Sequence, residues 1–162
     1  MITLFYPASF LPHKNHSLLA NPLITEFLLQ YDIMIYLTIS ESDCSFISPN
    51  IISLGRISHQ ECMQYLEQSS ALLFLSSFES LGLPLIEAAQ MQKPVICPDL
   101  AYARELLGDS AYYFSLQSPE SLCQTLSSFT LLSESPNTAQ LNRPMHTLDY
   151  AWKIFLESFP FI

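Results

Sequence analysis

The chain has 162 residues, the length of one domain, and its 49% hydrophobic against 13% charged residues supplies enough apolar material for a packed core. Fifteen acidic and six basic residues leave a net charge of -9. That balance excludes a nucleic-acid-binding surface and an anionic-membrane patch, since both need clustered Lys and Arg. No apolar run approaches the ~20 residues of a membrane-spanning helix. The N-terminus has no basic segment ahead of an apolar one and is interrupted by Pro7, Pro12 and His13, so no signal peptide is read there. The expectation is a cytoplasmic protein, membrane-peripheral only through a partner. Cys44, Cys62, Cys97 and Cys123 form no C-x-x-C pair and read as reduced, buried thiols rather than a metal ribbon or redox motif.

Strand-like and helix-like runs alternate from the start. Residues 2–6 predict a strand closed by Pro7. Over residues 16–30, Leu19, Leu23 and Phe27 share a helical face, but Asn21-Pro22 is a cap and first-turn pair, so a kinked helix or two pieces are expected. Residues 32–39 predict a second strand, apolar on both faces, and the Ser-rich 40–50 a loop. Residues 51–54 give a short strand ending at Gly55. Ser58 with Glu61 three residues later is a capping box, opening a helix to about Ser69.

Residues 71–75 predict a buried strand, 84–91 a helix, 94–97 a strand, 103–107 a short helix and 111–114 a small strand. Ser118-Pro119-Glu120 starts another helix with cap, first-turn proline and a dipole-matched acid in order. Residues 1–132 thus form one domain, polar 133–147 a linker, and 148–162 a last helix, bearing Trp152 in a packing role, that returns to the domain. About six βα-type steps predict an α/β, Rossmann-like parallel sheet with helices on both faces. With only three glycines, neither a G-x-G-x-x-G dinucleotide loop nor a G-x-x-x-x-G-K phosphate loop exists here.

Ligands of open parallel sheets sit beyond the carboxyl ends of the strands. Two loops are unusual at that edge: residues 9–16 after the first strand and 78–88 after the fourth. In the second, Glu79 follows a buried strand, Gly82 permits a turn that a side chain would obstruct, and Pro84 suits a helix start. The amides of Ser80, Leu81, Gly82 and Leu83 then crown a helix N-terminus, which attracts phosphate, with Glu87 about one turn inside. Two carboxylates and an anion cradle in one pocket suit sugar or ribose hydroxyls and a diphosphate. The competing readings are a first-turn acid for Glu87, a solvated loop acid for Glu79 and a solvated loop cation for Lys14.

The run from Glu79 to Ala88 resembles the E-x7-E signature of family 4 (group 1) glycosyltransferases, as do Lys93-Pro94-Val95-Ile96, Glu105, Tyr6-Pro7-Ala8 and His13-Lys14-Asn15-His16. The resemblance spans nearly the whole chain and matches the C-terminal, donor-binding half of a GT-B enzyme. It implies transfer of a sugar from a UDP- or GDP-type donor with retention at the anomeric carbon, without a metal or other cofactor. It places Glu79 on the transferred sugar and Lys14 on the departing diphosphate as catalytic groups. Glu87 goes to the ribose hydroxyls, the amides around Gly82 and Leu83 to the diphosphate, and Arg56 and Ile57 beside the base. Ser9 falls in the donor loop where many relatives carry Gly-Arg; here Ala8-Ser9 stands instead, one cation fewer. An N-terminal acceptor domain or subunit is the partner it implies. A non-catalytic, degenerate module serving as a partner subunit is the alternative. His13 and His16 read as loop hydrogen-bonders, since no third metal ligand is near in sequence.

Overall fold

The computed structural model describes residues 1–43 and 48–133. Its elements run β1 (Ile2–Tyr6), two 3-10 turns (Pro12–Lys14 and His16–Ala20), α1 (Pro22–Gln30), β2 (Ile33–Leu37), a 3-10 turn (Glu41–Asp43) and β3 (Ile51–Ser53). There follow α2 (His59–Gln68), β4 (Ala71–Leu73), α3 (Leu83–Gln90), β5 (Val95–Pro98), α4 (Ala101–Leu107), β6 (Tyr112–Phe114) and α5 (Pro119–Ser133). The linker and last helix expected over 133–162, including Trp152, lie outside the described residues apart from the end of α5, as does Cys44.

Local chemistry sets the boundaries where the sequence marks them. The Asn21 side chain accepts from the Leu23 amide at 3.0 Å and Pro22 takes the first turn of α1, so the expected helix over 16–30 is two pieces. Ser58 and Glu61 complete a reciprocal capping box, with the Ser58 amide donating to Glu61 Oε2 at 2.7 Å. At the far end of α2, Lys93 Nζ donates to the carbonyls of Glu67 and Ser69, tying that helix end to the turn before β5.

All six strands are parallel, in the order β3-β2-β1-β4-β5-β6. Right-handed crossovers put α1 on one face and α2, α3 and α4 on the other. α1 packs with α5, and α3 with α4. Tyr65 of α2 stacks on Phe5 of β1, 5.7 Å between centroids. The centre of the sheet is dry: Leu4, Phe5, Tyr6, Ala71, Leu72, Leu73, Ile96 and Cys97 are fully buried. Each large aliphatic among them contributes about 1.5–3 kcal/mol of transfer free energy. The second strand is apolar on both faces as expected, but its cover is uneven: Ile33, Ile35 and Leu37 are buried, whereas Met34 and Tyr36 on the α2 face are half-buried, Tyr36 in tilted contact with Tyr65. Among the described residues, no helix is long and apolar enough to cross a membrane.

This strand order makes a switch point. β1 and β4 are neighbours whose crossovers leave towards opposite edges of the sheet, and the crevice beyond their carboxyl ends is where open parallel sheets take ligands.

Candidate nucleotide-sugar site

The loop after β1 is held by its own backbone. The Tyr6 hydroxyl donates to the Lys14 carbonyl at 2.7 Å, and Asn15 adopts a left-handed conformation with φ of 51° that ends the first 3-10 turn. Asn15 Nδ2 donates to the Leu75 carbonyl at 2.8 Å, and the Ser77 amide donates to the His13 carbonyl at 2.8 Å. These two bonds cross the crevice and lock the loop after β1 to the loop after β4. Ala8 is fastened to the end of β2, its amide donating to Thr38 Oγ1 at 3.0 Å. Burial, opposed by a backbone hydrogen bond and reinforced by Glu79, raises the Tyr6 phenol far above its ordinary range, so it remains a neutral donor.

The cross-tie brings Lys14 and Glu79, 65 positions apart, into a direct ion pair. The side chains are only 15% and 14% exposed, and Lys14 Nζ also lies 5.7 Å from the centroid of the Phe74 ring. Neither is a solvated loop charge. Tyr102 closes the floor, its hydroxyl donating to the Ser76 carbonyl at 2.5 Å; burial, with Cys97 and Glu79 near, raises this phenol too.

Gly82 is the N-cap of α3 with φ of 63° and ψ of 42°. A Cβ there would sit 3.1 Å from Leu106 Cδ1 and 3.4 Å from Leu85 Cδ1, so both conformation and packing require glycine. Leu83 is the first helical residue and Pro84 the second, and the Leu85 amide is already bonded to the Gly82 carbonyl at 2.9 Å. Among the described residues, the amides of Ser80, Leu81, Gly82 and Leu83 make no backbone hydrogen bond and are available to an anion. Gly82→Ala is expected to destabilise the domain by about 1–2 kcal/mol from the left-handed backbone alone, plus the cost of moving Leu106. Gly55→Ala, with φ of 69° and open space around it, should show the backbone cost only. Thermal melts of the two variants check this difference.

Glu87 lies more than one turn into α3, whose first turn contains no acid, so a helix-dipole role does not explain it. It does not pair with Lys14. Its Oε1 lies 2.8 Å from Nε2 of His59, the first residue of α2, and Oε2 has no partner among the described residues. His59 was not among the residues singled out by sequence; a pairing across 28 positions leaves no local signal. Arg56 and Ser9 are exposed, and Ile57 packs partly against the core beside Gly55. Ser80, Leu81 and Leu83 are exposed on the crevice loop.

The expectation that His13 and His16 act as loop hydrogen-bonders is corrected. His16 is buried, 2% exposed, stacks on Tyr6 with centroids 4.9 Å apart, and neither ring nitrogen has a partner among the described residues. His13 contributes its carbonyl to the cross-tie, and no hydrogen bond of its ring is found among the described residues. No group of three or more potential metal ligands occurs among the described residues. Cys62, Cys97 and Cys123 are free thiols, and burial pushes the Cys97 thiol up to about 12.

Two loops of a parallel sheet thus hold a half-buried cation paired with a carboxylate, beside a helix N-terminus. The sequence profile of glycosyl transferases group 1 matches residues 24–142. The chain belongs to the group 1 glycosyltransferases. Among curated group 1 relatives, it is 32% identical over 99 residues to the serotype-specific mannosyltransferase WbdA of Escherichia coli, a match covering 59% of this chain. The match spans only 12% of WbdA. The fold is shared with TarM, with a TM-score of 0.68 at 16% identity, covering 97% of this chain and 34% of TarM. It is shared also with the trehalose-6-phosphate synthase OtsA, with a TM-score of 0.73 at 11% identity, covering the whole of this chain and 44% of OtsA. A TarM variant from S. aureus, solved with fondaparinux, α-GlcNAc-glycerol and UDP, matches with a TM-score of 0.65 at 16% identity, over 96% of this chain and 32% of that one.

Proposed function

We propose that this chain is the donor-binding half of a retaining glycosyltransferase that uses a nucleotide-linked sugar. The single observation that carries the reading is the Lys14–Glu79 pair seated beside the free amides of the α3 N-terminus. In the transfer, the bond between the sugar's anomeric carbon and the diphosphate oxygen breaks, and its electron pair leaves with the nucleoside diphosphate. The acceptor oxygen bonds to that carbon on the face the diphosphate leaves, which retains the configuration, and the acceptor's proton passes to the departing diphosphate oxygen. Negative charge therefore grows on the diphosphate, where the Lys14 ammonium and the amides of Gly82 and Leu83 stabilise it most. Glu79 receives the sugar hydroxyls, Glu87 the ribose hydroxyls, and the loop carrying Arg56 and Ile57 the base; Ser9 borders the diphosphate.

This assignment uses no metal, because fixed cation and amides already supply the counter-charge. The name of WbdA supports mannose as the first sugar to try. The UDP in the TarM complex supports a nucleotide in this fold's crevice. The acceptor is supplied by an N-terminal domain or subunit, and proximity of the two reactants requires it. The exposed Phe10, Leu11, Phe78, Leu81 and Leu83 on the crevice loops support such a closing surface. The same apolar rim favours a second reading, a non-catalytic partner subunit that docks without nucleotide.

Calorimetric titration with UDP and GDP tests the reading. Saturable binding of one of them is expected, weakened about tenfold or more in Glu87→Gln, which removes a charge-assisted acceptor. No saturable binding of either, with association to a partner unaffected by nucleotide, decides for the non-catalytic subunit.

A further inference from the structure

We infer that His59 is a positioning residue for donor binding: it fixes the Glu87 carboxylate and thereby sets the selectivity for a ribose over a deoxyribose nucleotide. The inference rests on the proposed role of Glu87 and names the residue that makes this role selective.

Its basis is an asymmetry in the site. The Lys14–Glu79 pair is enclosed by Phe74 and the crossed loops, whereas the Glu87 side chain on α3 is 25% exposed and makes no contact with that pair. Its one hydrogen-bond partner among the described residues is the His59 ring, at 2.8 Å from Oε1. His59 is held where it stands by the start of α2. Ser58 caps that helix, and Glu61 Oε2 accepts from both the amide and the hydroxyl of Ser58 at 2.7 Å, while the bond found for the imidazole among the described residues goes to Glu87. The loop before it turns at Gly55 and carries Arg56 and Ile57, the proposed base-side residues. The His59–Glu87 bond thus ties the base side of the crevice to the helix whose N-terminus meets the diphosphate. One carboxylate oxygen is held, and Oε2 is left in a fixed direction to accept from a sugar hydroxyl. A carboxylate fixed in this way rewards a hydroxyl at one position. A freely rotating one trades that bond for water.

His59 itself is 73% exposed and stands at the first position of a helix, where alanine is well tolerated, so His59→Ala is expected to fold as the wild type. The experiment titrates UDP, GDP and their 2′-deoxy and 3′-deoxy counterparts into wild type, His59→Ala, His59→Gln and Glu87→Gln, with melts recorded for each. The wild type is expected to prefer a ribonucleotide over at least one deoxy counterpart by about tenfold. In His59→Ala this preference should shrink to about threefold or less while deoxy affinity is unchanged, and His59→Gln, whose amide can donate to Oε1, should retain most of it. A wild-type preference that persists in His59→Ala overturns the inference, as does an equal loss for ribose and deoxyribose forms. Those results leave the nucleotide reading standing. A preference that survives Glu87→Gln, or no nucleotide binding by the wild type, overturns the ribose reading itself and the inference with it.

Discussion

Lys14→Ala is expected to slow sugar transfer by about 10²–10³, the loss seen when one preorganised donor to a developing negative charge is removed. The magnitude follows from how few cations the site has. The protein carries a net charge of -9, and the loop after β1 offers Ala8-Ser9 ahead of Lys14 with no second Lys or Arg, so no general positive field stands behind Lys14. Binding of the nucleoside diphosphate should weaken as well, but less than transfer, because charge on the diphosphate rises as the anomeric bond breaks. The pair with Glu79 adds a structural effect. Deleting one partner of an enclosed ion pair strands the other; the cost for fully buried pairs is about 3–5 kcal/mol, and the slight exposure of both side chains puts this pair at or below the lower end. The two effects separate in a double variant. Lys14→Met with Glu79→Gln removes both charges, so melting temperature should recover most of the single variant's loss while transfer stays lost. Thermal melts of the three proteins, and initial rates with a nucleotide-sugar when each is combined with the acceptor-supplying domain or subunit, measure it. A Lys14→Ala protein that transfers at the wild-type rate removes Lys14 from the chemistry.

What the sequence makes legible is what local chemistry encodes. Asn21-Pro22, the Ser58/Glu61 box and Gly82 ahead of Pro84 each solve a problem within four residues of backbone, so each is readable in place. The parallel order is readable too, because alternation with right-handed crossovers leaves few topologies. The meeting of Lys14 and Glu79 is a step harder: nothing near either residue names its partner, and only the switch-point rule together with the family resemblance brings both loops to one crevice. His59 is illegible for the same reason without a compensating motif. A histidine at the start of a helix is unremarkable until the neighbouring helix places Glu87 2.8 Å away. The half-buried face of β2 and the orientation of His16 depend on which helix covers which strand and how completely. Residue type alone does not set that: His16 reads as polar in the chain and lies against Tyr6 as an apolar plate.

That plate carries a penalty that depends on pH, and the native state is expected to lose stability steadily as pH falls from about 6.5 towards 4. His16 is buried, with Lys14 adding repulsion, and its pKa is lowered from 6.5 to about 4. The direction follows from proton counts. Above pH 6.5 the ring is neutral in folded and unfolded chains and contributes no dependence. Between 6.5 and 4 the unfolded chain binds a proton that the folded one refuses, so unfolding is favoured, with a limiting slope of about 1.4 kcal/mol per pH unit. Below about 4 both forms bind it and the contribution levels off. At a pH of about 4.5 the accumulated loss is about 2.5 kcal/mol. Glu61, Asp99 and Glu120, whose carboxyls are lowered mainly by hydrogen bonds from Ser58, Arg104 and the Glu120 backbone respectively, act in a lower window. They stabilise above their unfolded values and lose this contribution only as pH falls through their folded ones. His16→Phe keeps a ring between Tyr6 and Phe10, and since neither imidazole nitrogen has a partner among the described residues, the replacement sacrifices no hydrogen bond there. The variant should therefore be at least as stable as the wild type at neutral pH and pull ahead of it progressively on acidification. Urea unfolding of both proteins across this range measures the difference. Parallel stability curves for the two would show that His16 takes up its proton in the folded state as readily as in the unfolded chain.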